Sequence, residues 1–237
     1  AELEPLINEK IVPNLKDGYT IAFTGEQEEQ AKSMAFLGKA LMISVFVIFM
    51  IIVSQFNSLS APIIILASVV LSLIGVFLGL AVFGDSFVVI MTMIGIISLA
   101  GVVVNNAIVL MDFTFLTRDR YMTEHGIENK RTLPREAITK AIVESGRTRL
   151  RPVLLTAITT VLGLIPLAIG FNINFYTLIT EFDGQFYMGG DNMLMWGPLS
   201  WTVIYGLTFA TFLTLVVVPI LILLFDRLSY RLNRFFS

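Results

Sequence analysis

Residues 101–112 read GVVVNNAIVLMD and set two adjacent amides, Asn105 and Asn106, in one of the most apolar parts of the chain. Amides carry donors and acceptors that hydrocarbon cannot satisfy, so a partner is required. Ser98, Asn105 and Asp112 are each seven residues apart, nearly two helical turns, with Gly101 between them on the same face. Asn106 is rotated by about 100° onto a neighbouring flank. Such a stripe can hydrogen-bond and, at Asp112, take up or release a proton. Ionisable or strongly polar groups inside a membrane span are costly and by default mark a functional face. Asp112 lies near the end of its stretch, where water can solvate a carboxylate equally well. A second polar row, Thr156, Thr159, Thr160 and Gly163, occupies a later apolar stretch. Other chemistries are poorly supplied. There is no cysteine, which excludes disulfides and thiolate metal or redox sites, and the single histidine, His125, has no second imidazole near it to hold zinc. An intramembrane hydrolase is disfavoured too, because Asp112 lacks a second carboxylate within a span and no nucleophile with an adjacent base is visible.

The elements that must position these groups follow from hydropathy. The chain is 56% hydrophobic and 14% charged over 237 residues, with a mean hydropathy of +0.82, as befits a polytopic membrane protein. Five apolar stretches reach the roughly 20 residues a helix needs to cross a bilayer: 37–56, 62–83, 87–113, 152–170 and 198–225. Nine Lys and Arg residues lie in or beside the 114–151 connection, and Arg227, Arg231 and Arg234 lie in the tail. The positive-inside rule makes both regions cytoplasmic and puts the N-terminus outside. Residues 1–36 are acidic, with seven Asp or Glu against three Lys, and the 171–197 connection carries Glu181, Asp183, Asp191 and no base. The net charge of -2 suggests no nucleic-acid partner. The opening AELEPLINEK has neither the basic nor the apolar region of a signal peptide. Residues 2–15 read as a helix and 19–26 as one strand without a partner, so residues 1–36 read as the end of a larger exterior domain and the chain as the C-terminal part of something bigger.

Helices in lipid associate through small and polar residues. Such stripes recur at Ser68, Ser72, Gly75 and Gly79 and at Thr202, Gly206, Ala210 and Thr214, where the expected role is helix packing. The 37–56 stretch is nearly all large and apolar and is expected to be the most lipid-exposed. Pro152 opens the fourth span near its first turn, whereas Pro166 and Pro219 lie inside spans and are expected to kink them. Residues 132–146 read as an amphipathic helix with an apolar row of Ile138, Ala141 and Ile142, ended by Gly146 and lying flat at the membrane surface.

These stretches resemble the resistance-nodulation-division (RND) efflux transporters of the hydrophobe/amphiphile type. GEQEEQAKSMAFLGKALMISVFVIFMIIVSQFNSLSAPIIILASVVLSLIGV is similar to the segment joining the last porter subdomain to the eighth helix. GIISLAGVVVNNAIVLMDF resembles the tenth helix, RTRLRPVLLTAITTVLGLIPLAIG the eleventh, and WGPLSWTVIYGLTFATFLTLVVVPILILLFD the twelfth. The resemblance spans essentially the whole chain. It implies an all-α polytopic membrane fold: five transmembrane helices, 8 to 12 of twelve, making up residues 37–237, preceded by a short periplasmic α/β remnant of the porter domain. It also implies a bacterial inner-membrane, multi-pass location with a periplasmic N-terminus and cytoplasmic C-terminus. The implied partners are the missing N-terminal half of the same transporter, two further copies in a homotrimer, a periplasmic adaptor (membrane fusion protein), an outer-membrane channel and the lipid bilayer. No cofactor is implied beyond the proton motive force, and no enzymatic activity.

In this family paired aspartates on the fourth helix form a proton relay with a lysine on the tenth and a threonine on the eleventh, with an arginine just before it. Motif by motif, the threonine falls on Thr156 and the arginine on Arg149, but the lysine position holds Asn105. An amide can neither titrate nor carry the positive charge of a lysine, so the Asn pair reads as a subfamily variant. The expected relay face is Ser98, Asn105 and Asp112 with Thr156 and Arg149, and Asn106 as a flanking residue. Three alternatives stand beside this reading: an RND-superfamily lipid exporter, a protein-translocation auxiliary, and a non-transporting membrane scaffold in which the stripes only pack. Heavy-metal export is disfavoured but not excluded, because metal-selecting methionines would lie in the absent porter domain.

Overall fold

In a computed structural model, Pro13 and residues 26–127 and 134–236 are described. The expected helix at 2–15 and all but the last residue of the strand at 19–26 lie outside the described residues. Five helices among the described residues are long and apolar enough to cross a membrane.

α1 (Glu26–Phe56) ends at Asn57, which turns the chain at φ 44°. Ser60 opens α2 (Ser60–Phe83), with Pro62 in the first turn, where its missing N–H is tolerated. α2 stops at Gly84, whose φ of 72° lets its N–H bond the Leu80 carbonyl, the left-handed cap that glycine adopts without penalty. α3 (Val89–Glu124) is 36 residues long and α4 (Arg135–Ala168) 34. A small lobe follows: β1 (Phe171–Asn172) pairs antiparallel with β2 (Tyr187–Met188) around the short helix α5 (Phe175–Thr180). α6 (Asp191–Phe236) is 46 residues long. The bundle thus has a lobe end, with the start of α1, the α2–α3 junction and the lobe, and a basic end, with the α3–α4 connection and the end of α6.

The helices run past the hydropathic stretches. α3 continues from 113 to Glu124 because TFLTRDRYMTE contains no helix breaker, and the chain turns only at Gly126 (φ 63°). Hydropathy falls where charge begins, whereas the helix ends where a glycine permits the turn.

α6 is the central helix, packed most extensively against α2, α3 and α4. The small residues make this possible. A Cβ on Gly75 would collide with Phe209, one on Gly79 with Tyr205, and one on Gly206 with Leu99 and Val76. Ser68, Ser72, Thr202, Ala210 and Thr214 are all buried in these seams, and the Ser68 and Ser72 hydroxyls donate to the Ile64 and Val69 carbonyls of their own helix. Two apolar clusters fill the bundle. Val76, Leu99, Val103, Ala157 and Leu207 lie toward the lobe end, and Ile65, Leu110, Met111, Ile142 and Val218 toward the basic end. α1 packs on α2 and α3 and, among the described residues, contributes only Leu37 and Ile52 to the buried ones, leaving Phe36, Met42, Phe46 and Met50 exposed. In the span of α4, only Val153, Ala157 and Ala168 are buried, so α1 is not alone in its exposure. What α4 exposes is mixed: Thr156, Thr159 and Gly163 beside Leu155, Ile158 and Leu162.

The expected surface helix at 132–146 is corrected. From Arg135 onward it is the first part of α4, continuous with the span, while residues 132 and 133 lie outside the described ones. Gly146 does not end it, since it lacks the positive φ of a left-handed cap. Its apolar row turns onto the protein rather than lipid: Ala141 and Ile142 are buried, Ile142 in one cluster with Leu110 and Met111, and Ile138 packs beside them. The cause is the overlong α3, which offers an apolar flank for that row to cover. Pro152, Pro166 and Pro219 all lie within unbroken helices.

Candidate functional site: an uncovered polar face

The residues at seven-residue spacing come to one face of α3. Ser98, Gly101 and Asn105 are exposed and Asp112 is half-buried, in a helix whose other flanks are covered by α2, α4 and α6. At 1.5 Å rise per residue the stripe extends about 21 Å along the axis. Asn106, one step round, is 5% exposed. The adjacent amides therefore divide, one outward and one inward.

On α4 the threonine row is also uncovered, and each hydroxyl is bonded to its own helix. Thr156 Oγ1 donates to the Val153 carbonyl at 2.9 Å and Thr160 Oγ1 to the Thr156 carbonyl at 2.8 Å, while Thr159 Oγ1 lies 2.8 Å from the Leu155 carbonyl and 3.1 Å from that of Thr156. A threonine has one proton to donate. To donate to any other acceptor, Thr156 must rotate its hydroxyl away from Val153.

Among the described residues, no hydrogen bond joins the α3 stripe to the α4 row. What links the two helices lies nearer the basic end. The Arg149 guanidinium carbon sits 4.6 Å from the centre of the Phe113 ring, a cation–π contact, one residue beyond Asp112. Its Nε is buried with no acceptor among the described residues. Arg149 is thus held beside the end of the stripe with a donor unspent. One turn further, Thr114 and Ser145, both buried, approach each other's hydroxyls at 2.8 Å and both reach the Leu110 carbonyl, at 2.9 and 3.2 Å. Arg118 pairs with Asp226 at 3.2 Å and ties α3 to α6.

Sequence reasoning named Ser98, Asn105, Asn106, Asp112, Thr156 and Arg149; it missed Phe113, the Thr114–Ser145 pair and the Arg118–Asp226 pair. Arg118 and Asp226 are 108 residues apart, and no local spacing could reveal them. Thr114 and Ser145 escaped because the third span was ended at 113. At the lobe end another pair had no sequence signal: Tyr205 Oη donates to Asp85 Oδ2 at 2.6 Å, with the Tyr205 ring stacked between Phe83 and Trp201.

The sequence profile of the AcrB/AcrD/AcrF family matches residues 5–226. The swarming motility protein SwrC of Bacillus subtilis (strain 168) is 35% identical over 204 residues, which cover 86% of this chain and 16% of that protein. Multidrug resistance protein MdtC of Shigella flexneri is 29% identical over 207 residues, 87% of this chain and 17% of its own. Among solved structures, that of a heavy metal efflux pump superposes with a TM-score of 0.67 at 28% identity, covering 95% of this chain and 19% of that one. The chain therefore spans less than a fifth of the length of these relatives.

Proposed function

The chain belongs to the AcrB/AcrD/AcrF family and is part of an RND transporter, and we propose that it supplies helices 8 to 12 of a proton-driven multidrug or amphiphile efflux pump and half of its proton-translocating bundle. The observation that carries this reading is the uncovered polar face of α3. Ser98, Gly101 and Asn105 are exposed in the middle of an apolar span, where lipid would leave Asn105 unsatisfied, so the face requires a polar partner. The relatives supply several times the length of chain needed to provide it.

In this proposal the missing half brings two carboxylates to the face. They carry the proton. Asn105 donates its amide N–H to the ionised state, and Thr156 joins it once its hydroxyl swings off the Val153 carbonyl. Arg149, held by Phe113, sets the positive field at the cytoplasmic mouth, with Asp112 at the end of the stripe. Because Asn105 has no charge to move, the coupling must come from hydrogen bonds made and broken at the carboxylates. The pump works in the bacterial inner membrane, with the lobe end periplasmic and the basic end cytoplasmic, as a homotrimer joined to a periplasmic adaptor and an outer-membrane channel.

The test is a transport assay on the complete transporter in vesicles, with and without a protonophore. Asn105→Ala is expected to abolish proton-coupled export while leaving the protein folded and in the membrane. Unchanged export by that variant removes Asn105 from the relay. Asn105→Lys retaining export means that amide and ammonium are alternative solutions at one position.

A further inference from the structure

The lobe between α4 and α6 buries little of its apolar surface. A few of its polar groups are bonded within it: Asn172 Nδ2 donates to the Gly170 and Gly189 carbonyls at 2.7 and 2.9 Å, Asn192 Nδ2 donates to Asn172 Oδ1 at 2.9 Å, and Asn174 Oδ1 accepts the Thr177 N–H at 3.3 Å, while Glu181, Asp183 and Gln185 are exposed. Part of its backbone is bonded internally as well. The Asn174 N–H bonds the Gly184 carbonyl, those of Glu181 and Asp183 bond that of Thr177, and that of Gly189 bonds Gly170. The apolar side chains are left outside. Phe182 is 92% exposed and Ile179 75%, and Phe175, Phe186, Tyr187 and Met188 are exposed around them. Phe182 holds φ 53°, a region bulky residues rarely adopt, with its ring directed out of the fold.

We propose that this lobe is an interfacial anchor, its aromatic and aliphatic side chains seated in the headgroup region of the bilayer leaflet at the lobe end. Three observations select lipid over another occupant. Position comes first: the lobe is tethered directly to two membrane-spanning helices, ending at Ala168 and beginning at Asp191, so it cannot leave the bilayer boundary. Continuity comes second: the apolar exposure extends onto Ile165 and Leu167 of α4 and onto Leu194 and Trp196 of α6. Composition comes third, since Phe, Tyr and Trp at the ends of spans are what the interfacial belt selects. The charges of the lobe add specificity. Glu181, Asp183 and Asp191 are accompanied by no Lys or Arg anywhere from 152 to 226, so the anchor favours zwitterionic headgroups and is repelled by anionic ones.

The experiment uses the complete transporter on a background free of other reactive cysteines, reconstituted in phosphatidylcholine and phosphatidylethanolamine vesicles, with a nitroxide on Phe182→Cys or, separately, Ile179→Cys. Glu29→Cys serves as the aqueous reference and Phe46→Cys as the hydrocarbon reference. Both lobe labels are expected to lose collisions with a water-soluble nickel chelate relative to Glu29→Cys while keeping collisions with oxygen, at a depth shallower than Phe46→Cys. Added phosphatidylglycerol should shift them outward; no shift overturns the part assigned to the three carboxylates. Nickel access equal to that at Glu29→Cys places the lobe in water and overturns the anchor. Loss of both collisions means that protein covers the lobe, from elsewhere in the transporter or another copy, and overturns it equally. The paired labels keep the result independent of whether one variant folds.

Discussion

Thr114 and Ser145 have two hydroxyl protons between them for three contacts, with each other and each with the Leu110 carbonyl. Only two of the three can be hydrogen bonds at one instant, so the pair holds α4 to α3 whichever proton is where. Removing one hydroxyl leaves the other still bonded to Leu110. Ser145→Ala is therefore expected to cost only about 0.6–1 kcal/mol, near the mean for hydrogen bonds between membrane helices, and the Thr114→Ala/Ser145→Ala double variant, which keeps neither bond, is expected to lose about the sum of the two single variants, as unfolding in a denaturing detergent series would measure. At Thr156 the hydroxyl proton is committed to the Val153 carbonyl, so a role in the relay depends on rotation. Thr156→Ser should preserve proton-coupled export and Thr156→Val should abolish it, read as substrate-driven proton flux in everted vesicles. The split of Asn105 from Asn106 was legible in the sequence, because one residue is a 100° step round a helix. Phe113 under Arg149 was not, since a cation over a ring leaves no spacing signature when the two lie on different helices.

At the scale of elements, composition reported the bilayer better than the helix. Five long apolar helices are there, yet α3 runs eleven residues beyond the stretch expected for it, to Glu124, and this extension redirected the amphipathic segment from the membrane surface onto the protein. Hydropathy marks where lipid ends; helix ends depend on glycines and caps further along. The small-residue stripes told which faces are approached but not by what. Gly206 lets Leu99 of α3 and Val76 of α2 meet over the α6 backbone. Gly206→Ala is expected to destabilise the bundle by about 1–3 kcal/mol through overpacking, despite alanine's better helix propensity, and reversible denaturation of the 237-residue chain would register it.

For the molecule as a whole, the glycines also map what is uncovered. A Cβ at Gly101 or Gly163 would meet nothing within 4 Å. Gly101→Leu and Gly163→Leu should leave this chain as stable as before, or more so by up to about 1 kcal/mol from helix propensity. In the complete transporter the same variants should block export, because the faces they stand on are where the proposed pump seats its other half. Melting of the 237-residue chain set beside export by the complete transporter tests that contrast, and full export by Gly101→Leu would leave the α3 face without a partner helix. The centrality of α6 has a consequence for biosynthesis. α2, α3 and α4 are each packed chiefly on a helix that begins at Asp191, after all three have been made. At about 5–20 residues per second, α3 waits for several seconds beside the translocon with its Gly95 and Leu99 seam open before α6 arrives to fill it. Until then the earlier helices share only their thinner mutual contacts. The ribosome thus makes the bundle's keystone after the helices that pack on it, and their small-residue seams stay open to wrong partners until it emerges.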